Sequence, residues 1–369
     1  MPLQRPDEVG LSIAHALDVA LAWARPGLLD LAPLAHELRA IRITEGMPTT
    51  SVHTETLDTF PRLLLHHAMV RGEHPAMREK HLGIWQTWSW TQANDQVQAI
   101  AAGLAALGFK RGDHLAIIGD NRPRLYWAMC AAQCLGGVAV PLYQDAIAQE
   151  MVFVLHDADV KFAMAEDQEQ VDKLREIKAQ CPLLQHIFFD DARGLRRYTD
   201  VQSMDALQER GREFMRAHPG YLSAEIALGS TSDIAVMLYT SGTTGNPKGV
   251  CQTHAAFIAS ARGDIAFDGF TAEDQILSYL PMAWVGDHLF SYAEALVAGF
   301  TVNCPESSET VMIDMREIGP TYYFAPPRVF ENLFTQVSIR MKDASWLKRK
   351  WYRYFMQVAR RCGAEIMDG

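Results

Sequence analysis

The sequence predicts an α/β protein in which layered, largely parallel β-sheets are flanked by helices. Short apolar segments alternate with longer segments whose apolar residues recur at helical spacing, and this alternation is typical of parallel sheets covered on both faces. The chain has 369 residues, of which 49% are hydrophobic and 21% charged. A chain of this length and composition can bury a core without disulfides or a structural metal, which excludes a disordered or fibrous protein.

The predicted strands begin with a hairpin formed by residues 75–78 and 84–90. Eight further strands follow, at residues 114–118, 138–142, 160–165, 187–189, 234–240, 275–280, 300–304 and 321–325. Each is a short apolar segment bounded by helical patterns or by turn residues. Their spacing leaves room for crossover helices, so most of the strand pairs are expected to be parallel.

The first predicted helices surround the hairpin. One runs over 63–70, with Thr59 as its cap and Pro61 near its start. The next places Val97, Ile100 and Leu104 on one face and ends at Gly108. Further helices are predicted over 123–135, 147–156 and 168–180.

Residues 1–55 are predicted to form a helical extension of unknown role, and residues 56–369 a single large domain.

The uncharged run 125–143 is long enough to suggest a membrane span, but Gln133, Gly136 and Pro141 favour a buried helix followed by a strand. The six cysteines are scattered and no signal peptide is recognisable, so a cytoplasmic protein is expected. A net charge of −10 argues against a nucleic-acid partner.

The segment Tyr-Thr-Ser-Gly-Thr-Thr-Gly-Asn-Pro-Lys-Gly at residues 239–249 carries the clearest chemical signal. Gly242 and Gly245 permit backbone geometries in which successive N–H groups point at one anion, and Lys248 adds a positive charge. Hydroxyl and loop residues complete the candidate phosphate site: Thr240, Ser241, Thr243, Thr244, Asn246 and Pro247. The lysine spacing does not match the Walker A pattern, and an ordinary turn between two strands is the alternative.

This segment resembles the phosphate loop of adenylate-forming enzymes, which include acyl-CoA synthetases, luciferases and peptide-synthetase adenylation domains. The resemblance implies the large N-terminal domain of that fold and a reaction in which a carboxylate is activated by Mg·ATP and transferred to CoA. ATP, Mg²⁺ and CoA would be substrates or ions, and no prosthetic group is implied. Thr240 to Gly245 would hold the phosphates, Lys248 would lie near the β and γ charges, and Thr240 would contact Mg²⁺.

Two later segments are similar to acyl-binding parts of the same family. Residues 280–288 resemble its acyl-pocket motif, with Trp284 where many members have a histidine and His288 close behind. Residues 325–332 resemble the long-chain fatty acyl-CoA synthetase branch, which implies a fatty acid as substrate. The alternatives are that Trp284 is a core aromatic and that His288 is structural.

The family's next motifs, a Tyr-Gly-x-Thr-Glu segment, a ribose-binding aspartate and a lysine of the C-terminal lid domain, are not found among the 369 residues. The sequence therefore resembles the front portion of a synthetase, and the catalytic lysine and glutamate are expected in a complementing C-terminal polypeptide. The alternative is a catalytically incomplete remnant or binding module that keeps nucleotide or acyl affinity. In either case we expect residues 1–369 alone to bind ATP weakly and to form no acyl-CoA.

A basic helical segment is predicted near the end of the sequence. The run 348–350 and residues Arg353 and Arg360 alternate with Trp351 and Phe355. Such a helix could make a peripheral contact with the inner face of a membrane or with CoA phosphates. The alternative is a solvated basic face over a packed aromatic stripe.

Overall fold

The computed structural model of the protein describes residues 57–240 and 247–368, with side chains up to residue 363. The predicted helical extension at residues 1–55 lies outside the described residues, as do residues 241–246 of the predicted phosphate loop. Within the described part, the α/β class with largely parallel sheets between helices is confirmed.

The first elements form the predicted helix, hairpin and second helix. These are α1 (Phe60–Val70), β1 (Pro75–His81), β2 (Ile84–Ser89) and α2 (Trp90–Ala106). Thr59 occupies the cap position of α1, but its side chain makes no capping hydrogen bond, and Pro61 lies in the first turn. By contrast, α2 begins with a capping box in which the Ser89 and Gln92 side chains each accept from the other's backbone N–H.

The middle of the chain alternates strands with crossover helices. It comprises β3 (His114–Ile118), α3 (Pro123–Cys134), β4 (Val138–Leu142), α4 (Ala148–Asp157), β5 (Phe162–Ala165), α5 (Gln168–Ile177), β6 (His186–Phe189), β7 (Gln202–Ser203), α6 (Met204–Ala217), α7 (Tyr221–Ala227) and β8 (Ile234–Thr240). The predictions for β3, β4 and β8 match the observed bounds. The strands β3 and β4 are recognisable in the sequence as continuous apolar runs, because every residue of β4 and most residues of β3 are buried.

The last third of the chain contains fewer strands and more helices. Its elements are β9 (Lys248–Thr253), α8 (His254–Asp268), β10 (Gln275–Leu277), α9 (Val285–Asp287), a π-helical stretch (His288–Ala293), α10 (Glu294–Ala298), β11 (Thr301–Cys304), α11 (Val311–Ile318), α12 (Pro327–Lys342) and α13 (Trp346–Asp368).

Two sheets organise these elements. A seven-stranded sheet has the order β7-β6-β5-β3-β4-β8-β9, and all its pairs are parallel except β8 with β9. A four-stranded sheet has the order β10-β11-β1-β2, in which only the β1–β2 hairpin is antiparallel. In each sheet the parallel strands therefore present their carboxyl ends at one edge, where ligands bind in open α/β sheets.

The predicted strand over 321–325 is wrong. Only Tyr322 forms a bridge, with Ile276 of β10, and the rest of the segment is irregular. The segment is flanked by Pro320 and by Pro326, which have no N–H to donate to a ladder, so regular pairing cannot extend across either end.

Arg122 joins the carboxyl ends of the two sheets. It follows β3, and its Nε donates to Glu166 Oε1 at 2.8 Å just after β5. Its two terminal nitrogens donate to backbone carbonyls just after β11, Nη1 to Pro305 at 2.7 Å and Nη2 to Glu306 at 2.9 Å. Glu79 of β1 lies 3.5 Å from the same Nε. One guanidinium thus connects strands of both sheets at the edge where a ligand site is expected.

The carboxylates around Arg122 depend on its charge. Burial raises the pKa of Glu79 from its ordinary value of 4.5 to about 7, and the nearby Arg122 opposes this rise. Burial also raises the pKa of Glu166. Because the folded protein holds the Glu79 proton more tightly than the unfolded chain does, this group lowers stability progressively as the pH rises from about 4.5 through 7.

Replacing Arg122 with methionine should therefore destabilise the protein in a pH-dependent way. At pH 8 we expect the free energy of unfolding to fall by about 3 kcal/mol, the scale of leaving a buried charge without its partner. At pH 5.5 the loss should be smaller, because Glu79 is then protonated in the folded protein. Urea unfolding followed by circular dichroism at both pH values measures the difference.

Arg212→Met is the matched control, because Arg212 pairs with Glu209 on the exposed face of α6. This substitution should change stability by less than about 0.5 kcal/mol at either pH. An Arg122→Met deficit of equal size at both pH values would show that Arg122 does not act through these carboxylates.

Candidate functional site

The candidate phosphate loop connects the two strands of the β8–β9 hairpin. Thr240 at the end of β8 pairs with Lys248 at the start of β9, and both residues are exposed. Pro247, the last residue before β9, is half-buried. The other predicted members, Ser241, Gly242, Thr243, Thr244, Gly245 and Asn246, lie outside the described residues. The structure thus gives the two ends of the loop and leaves the roles of its residues as predictions.

The hairpin lies at the carboxyl edge of the seven-stranded sheet. β8 runs parallel to β4, which runs parallel to β3, so the three strands end at the same edge. Neighbouring strands are about 4.8 Å apart, which places the end of β8 about 10 Å from the end of β3. The candidate loop and the residues that follow β3 therefore face the same region of the molecule.

A cleft of about 400 Å³ lies beside the hairpin. Its lining includes Tyr143, Met151, Tyr239 and Pro247. The hydroxyl of Tyr239 donates to Asp157 Oδ2 at 2.7 Å, which ties β8 to the end of α4. Burial and this carboxylate raise the pKa of Tyr239, so the phenol remains a donor at neutral pH.

A buried polar network fixes the predicted acyl-pocket segment to the end of β3. Asn121 Nδ2 donates to the carbonyl of Leu280 at 2.9 Å and to Asp287 Oδ1 at 3.0 Å. The hydroxyl of Tyr126 in α3 donates to Asp287 Oδ2 at 2.8 Å and lies 2.6 Å from Ser278 Oγ. Residues after β3, after β10 and in α9 thus meet in one hydrogen-bonded cluster.

Asp287 is the centre of this network and is fully buried. Burial raises its pKa to about 7, while the hydrogen bonds from Tyr126, Ser278 and Asn121 oppose the rise. A carboxyl surrounded by several donors is satisfied without a counter-ion. Three side chains, those of Asn121, Tyr126 and Ser278, therefore hold Asp287 in place.

His288 lies in an aromatic cluster at the start of the π-helical stretch. Its ring centroid is 4.5 Å from that of Phe257, 4.9 Å from Tyr292 and 6.1 Å from Phe60. Neither ring nitrogen has a hydrogen-bond partner among the residues that the structure describes, and burial lowers the pKa of His288 to about 3. This placement favours the structural alternative for His288, as a neutral ring packed in the core.

Trp284 is half-buried and covers the backbone of Gly286. A Cβ at position 286 would lie 2.4 Å from Cζ3 of the indole, so only glycine permits this ring position. The indole lies 6.3 Å from Phe324, which stacks on Phe290 at 4.1 Å. Trp284 is therefore part of an aromatic surface.

The two acyl-binding segments predicted from the sequence are close together in the structure. The ring of Tyr279 stacks on that of Tyr323 at 5.4 Å, and its hydroxyl donates to the carbonyl of Phe324 at 2.9 Å. Tyr323 in turn contacts Phe330 edge to face, with ring centroids 6.1 Å apart. The residues that directly precede the two segments thus contact each other, and together with Trp284 and Phe330 they form one aromatic wall.

Across residues 57–240 and 247–368, no three His, Cys, Asp or Glu side chains are grouped so that they could hold a metal ion. Thr240, the predicted magnesium contact, is exposed at the end of β8.

Sequence reasoning missed Asn121, Arg122 and Tyr126. A signal was present, because Gly119-Asp120-Asn121-Arg122 is a polar segment directly after the apolar strand β3. Polar residues at the carboxyl end of a parallel strand are candidates for a site. The partners of Asn121 and Tyr126 in residues 278–287, however, lie more than 150 residues away in the chain, beyond the reach of local patterns.

Comparisons with known proteins agree with this geometry. The long-chain-fatty-acid–CoA ligase ACSBG1 of Rattus norvegicus is 26% identical over 295 residues, covering 78% of this chain and 40% of the relative. The long-chain-fatty-acid–CoA ligase FadD15 of Mycobacterium bovis is 28% identical over 256 residues, covering 68% of this chain and 41% of the relative. The chain therefore spans about two fifths of the length of these curated relatives.

A solved structure shows the same fold. The inhibitor-bound N-terminal domain of FACL13 from Mycobacterium tuberculosis superimposes with a TM-score of 0.57 at 24% identity, covering 70% of this chain and 61% of that domain. The family model described as AMP-binding enzyme matches residues 64–368. Because this match includes both the hairpin and the aromatic wall, and most of the chain, the protein belongs to the AMP-binding enzyme family.

Proposed function

We propose that this chain provides the phosphate-binding and acyl-binding parts of an AMP-forming long-chain fatty acyl-CoA ligase. The main supporting observation is that the β8–β9 hairpin and Asn121 lie at the same carboxyl edge of the seven-stranded sheet, and that Asn121 donates to Leu280 of the segment 280–288. Family membership supports adenylate formation, and the names of the relatives support a fatty acid as the acyl substrate.

The proposed reaction has two steps. A carboxylate oxygen of the fatty acid attacks the α-phosphorus of ATP, and the bond from that phosphorus to the bridging oxygen of pyrophosphate breaks. The thiolate of CoA then attacks the carbonyl carbon of the acyl-adenylate, and AMP leaves with the electron pair of the former anhydride bond. The protein contributes mainly alignment of the reactants and stabilisation of phosphate charge.

The residues of the hairpin have distinct proposed roles. The exposed Thr240 hydroxyl and the exposed Lys248 ammonium would contact the phosphates of Mg·ATP from the two ends of the loop. The backbone N–H groups of residues 241–246 would hold the same phosphates between them. Pro247, which lines the cleft with Tyr239, would fix the direction in which the loop leaves the sheet.

The acyl side of the proposed site is aromatic and apolar. Trp284, Phe290 and Phe324 form a continuous ring surface, and Met282 and Ala283 are buried behind it. A surface of this kind favours an alkyl chain, because each apolar group that leaves water contributes favourably. The junction at Asp287 would keep this wall in register with the phosphate loop.

A catalytically incomplete binding module is the second candidate. The cleft of about 400 Å³ beside the hairpin and the exposed Lys248 would serve such a module as well as an enzyme. The two candidates differ in turnover. Under the binding-module proposal, purified 1–369 binds ATP or fatty acid but forms no acyl-CoA with ATP, Mg²⁺ and CoA. Acyl-CoA formation that requires a complementing C-terminal polypeptide would support the ligase proposal.

Lys248→Ala tests the phosphate site. In the active enzyme we expect fatty-acid-dependent pyrophosphate exchange to slow by about 10²–10³-fold, the scale of removing one electrostatic stabiliser. In the 369-residue chain alone, titration with ATP should show a loss of affinity of at least about tenfold, because one charge opposite the polyphosphate is removed.

Lys110→Ala is the matched control, since Lys110 is also exposed but precedes β3 at the amino edge of the sheet. It should leave ATP affinity and exchange unchanged. If Lys110→Ala and Lys248→Ala reduced ATP affinity equally, the loss would come from the changed net charge of the protein and not from a local contact. The proposed loop would then not be the phosphate site.

A series of saturated fatty acids tests the acyl wall. Affinity should rise by about fourfold for each added methylene, which corresponds to about 0.8 kcal/mol, until the chain exceeds the wall. Trp284→Ala should shift the preferred chain length. Gly286→Ala should produce a similar shift, because the new methyl group displaces the indole. Displacement of a fluorescent fatty acid measures each affinity.

Gly263→Ala is the control for the glycine substitution, because a Cβ at this position of α8 meets nothing within 4 Å. It should bind the series as the unmodified protein does. A protein that preferred acetate, an aryl acid or an amino acid would refute the substrate assignment. If Trp284→Ala left the preferred chain length unchanged, Trp284 would be a core aromatic residue and not part of the acyl site.

A further inference from the structure

The last two helices carry an exposed surface that the proposed reaction does not use. We call residues 333–363, which comprise most of α12 and the described side chains of α13, the basic–aromatic hairpin. On α13, Trp346 is 68% exposed, Trp351 58%, Tyr354 60% and Phe355 54%. α12 has no buried residue. Large apolar side chains exposed together mark a surface that contacts something else.

The large apolar residues of α13 share one side of the helix, and basic residues flank and oppose that side. Leu347, Trp351, Tyr354, Phe355 and Val358 follow one another at spacings that place them together. The ring centroids of Trp351 and Phe355 are 5.7 Å apart, and those of Tyr354 and Phe355 are 5.4 Å apart. The opposite side carries Arg349, Arg353 and Arg360, and the flanks carry Lys348, Lys350 and Arg361.

The charge of the hairpin is opposite to that of the chain. Residues 333–363 contain eight arginines and lysines and one acidic residue, Asp343, whereas the whole chain has a net charge of −10. A cleft of about 660 Å³ between the two helices is lined by Lys342, Arg349, Lys350 and Arg353. The complementary partner is therefore anionic, and a second copy of the same hairpin would be repelled.

We propose that the basic–aromatic hairpin docks on an anionic membrane surface. The apolar face of α13 would enter the headgroup boundary, and the basic side chains would reach the lipid phosphates. Across residues 57–240 and 247–368, no helix is long and apolar enough to span a bilayer. Trp and Tyr are the residues that favour this boundary.

Vesicle flotation of the complete 369-residue chain tests the proposal. Vesicles of phosphatidylcholine with about one third phosphatidylglycerol should bind at least tenfold more protein than vesicles of phosphatidylcholine alone, because the charge of the hairpin contributes only at an anionic surface. Raising the salt concentration should release the protein, because exposed charges are then screened.

Two variants separate the contributions of the two faces. The triple variant Arg349→Glu, Lys350→Glu, Arg353→Glu should lose the preference for anionic vesicles. The double variant Trp351→Ala, Phe355→Ala should keep the salt dependence but bind more weakly. The matched control, Arg212→Glu with Arg216→Glu on the exposed face of α6, should bind as the unmodified protein does. Circular dichroism establishes that each variant is folded.

Equal binding to neutral and anionic vesicles would overturn the proposal, as would an unaffected triple variant. If the chain instead self-associates through this face, light scattering would show a concentration-dependent dimer that Trp351→Ala, Phe355→Ala abolishes, with no vesicle binding. That outcome also overturns it. None of these measurements uses ATP or a fatty acid, so failure here is distinguishable from failure of the proposed ligase function.

Discussion

The rest of the structure depends on how the chain turns after β3. Asn121 and Arg122 are consecutive residues at the carboxyl end of this central strand, and their side chains connect the two sheets. Arg122 donates to two carbonyls after β11, and Asn121 donates to the segment that leads into α9. Parallel sheets bind ligands at their carboxyl edges, so these two residues determine whether the two edges form one site. The arrangement requires partly buried charges, which are stable only while they remain paired.

Local patterns were sufficient for the short apolar strands of the parallel sheet, whereas the phosphate loop stays a prediction. The apolar runs of β3, β4 and β8 are short and bounded by turns, and β3 and β4 are almost entirely buried, so the positions of these strands could be predicted residue by residue. The error at 321–325 has a local cause as well, since flanking prolines limit pairing to one bridge. The apolar residues there are spaced as in a strand, but the two flanking prolines lack the N–H donors that a β-ladder requires.

The junctions between distant segments could not be predicted from the sequence. The environment of Asp287 could not be inferred from its neighbours in the sequence, because its partners Asn121 and Tyr126 lie more than 150 residues earlier in the chain. His288, a candidate for the acyl pocket, is in contact with Phe60 and Phe257, which come from two other helices. In both cases tertiary packing determines the environment of the side chain. The sequence identifies the chemical type of a residue, and only the fold determines what it contacts.

The central claim is that one carboxyl edge binds both phosphates and the acyl chain. Amide hydrogen exchange, with and without millimolar Mg·ATP, tests this claim most directly because it reports on every segment at once. The account predicts slower exchange in the β8–β9 hairpin and in residues 278–288, with no change in the turn before β3 at the opposite edge. Protection confined to that opposite edge, or none in the hairpin at saturating nucleotide, would contradict it.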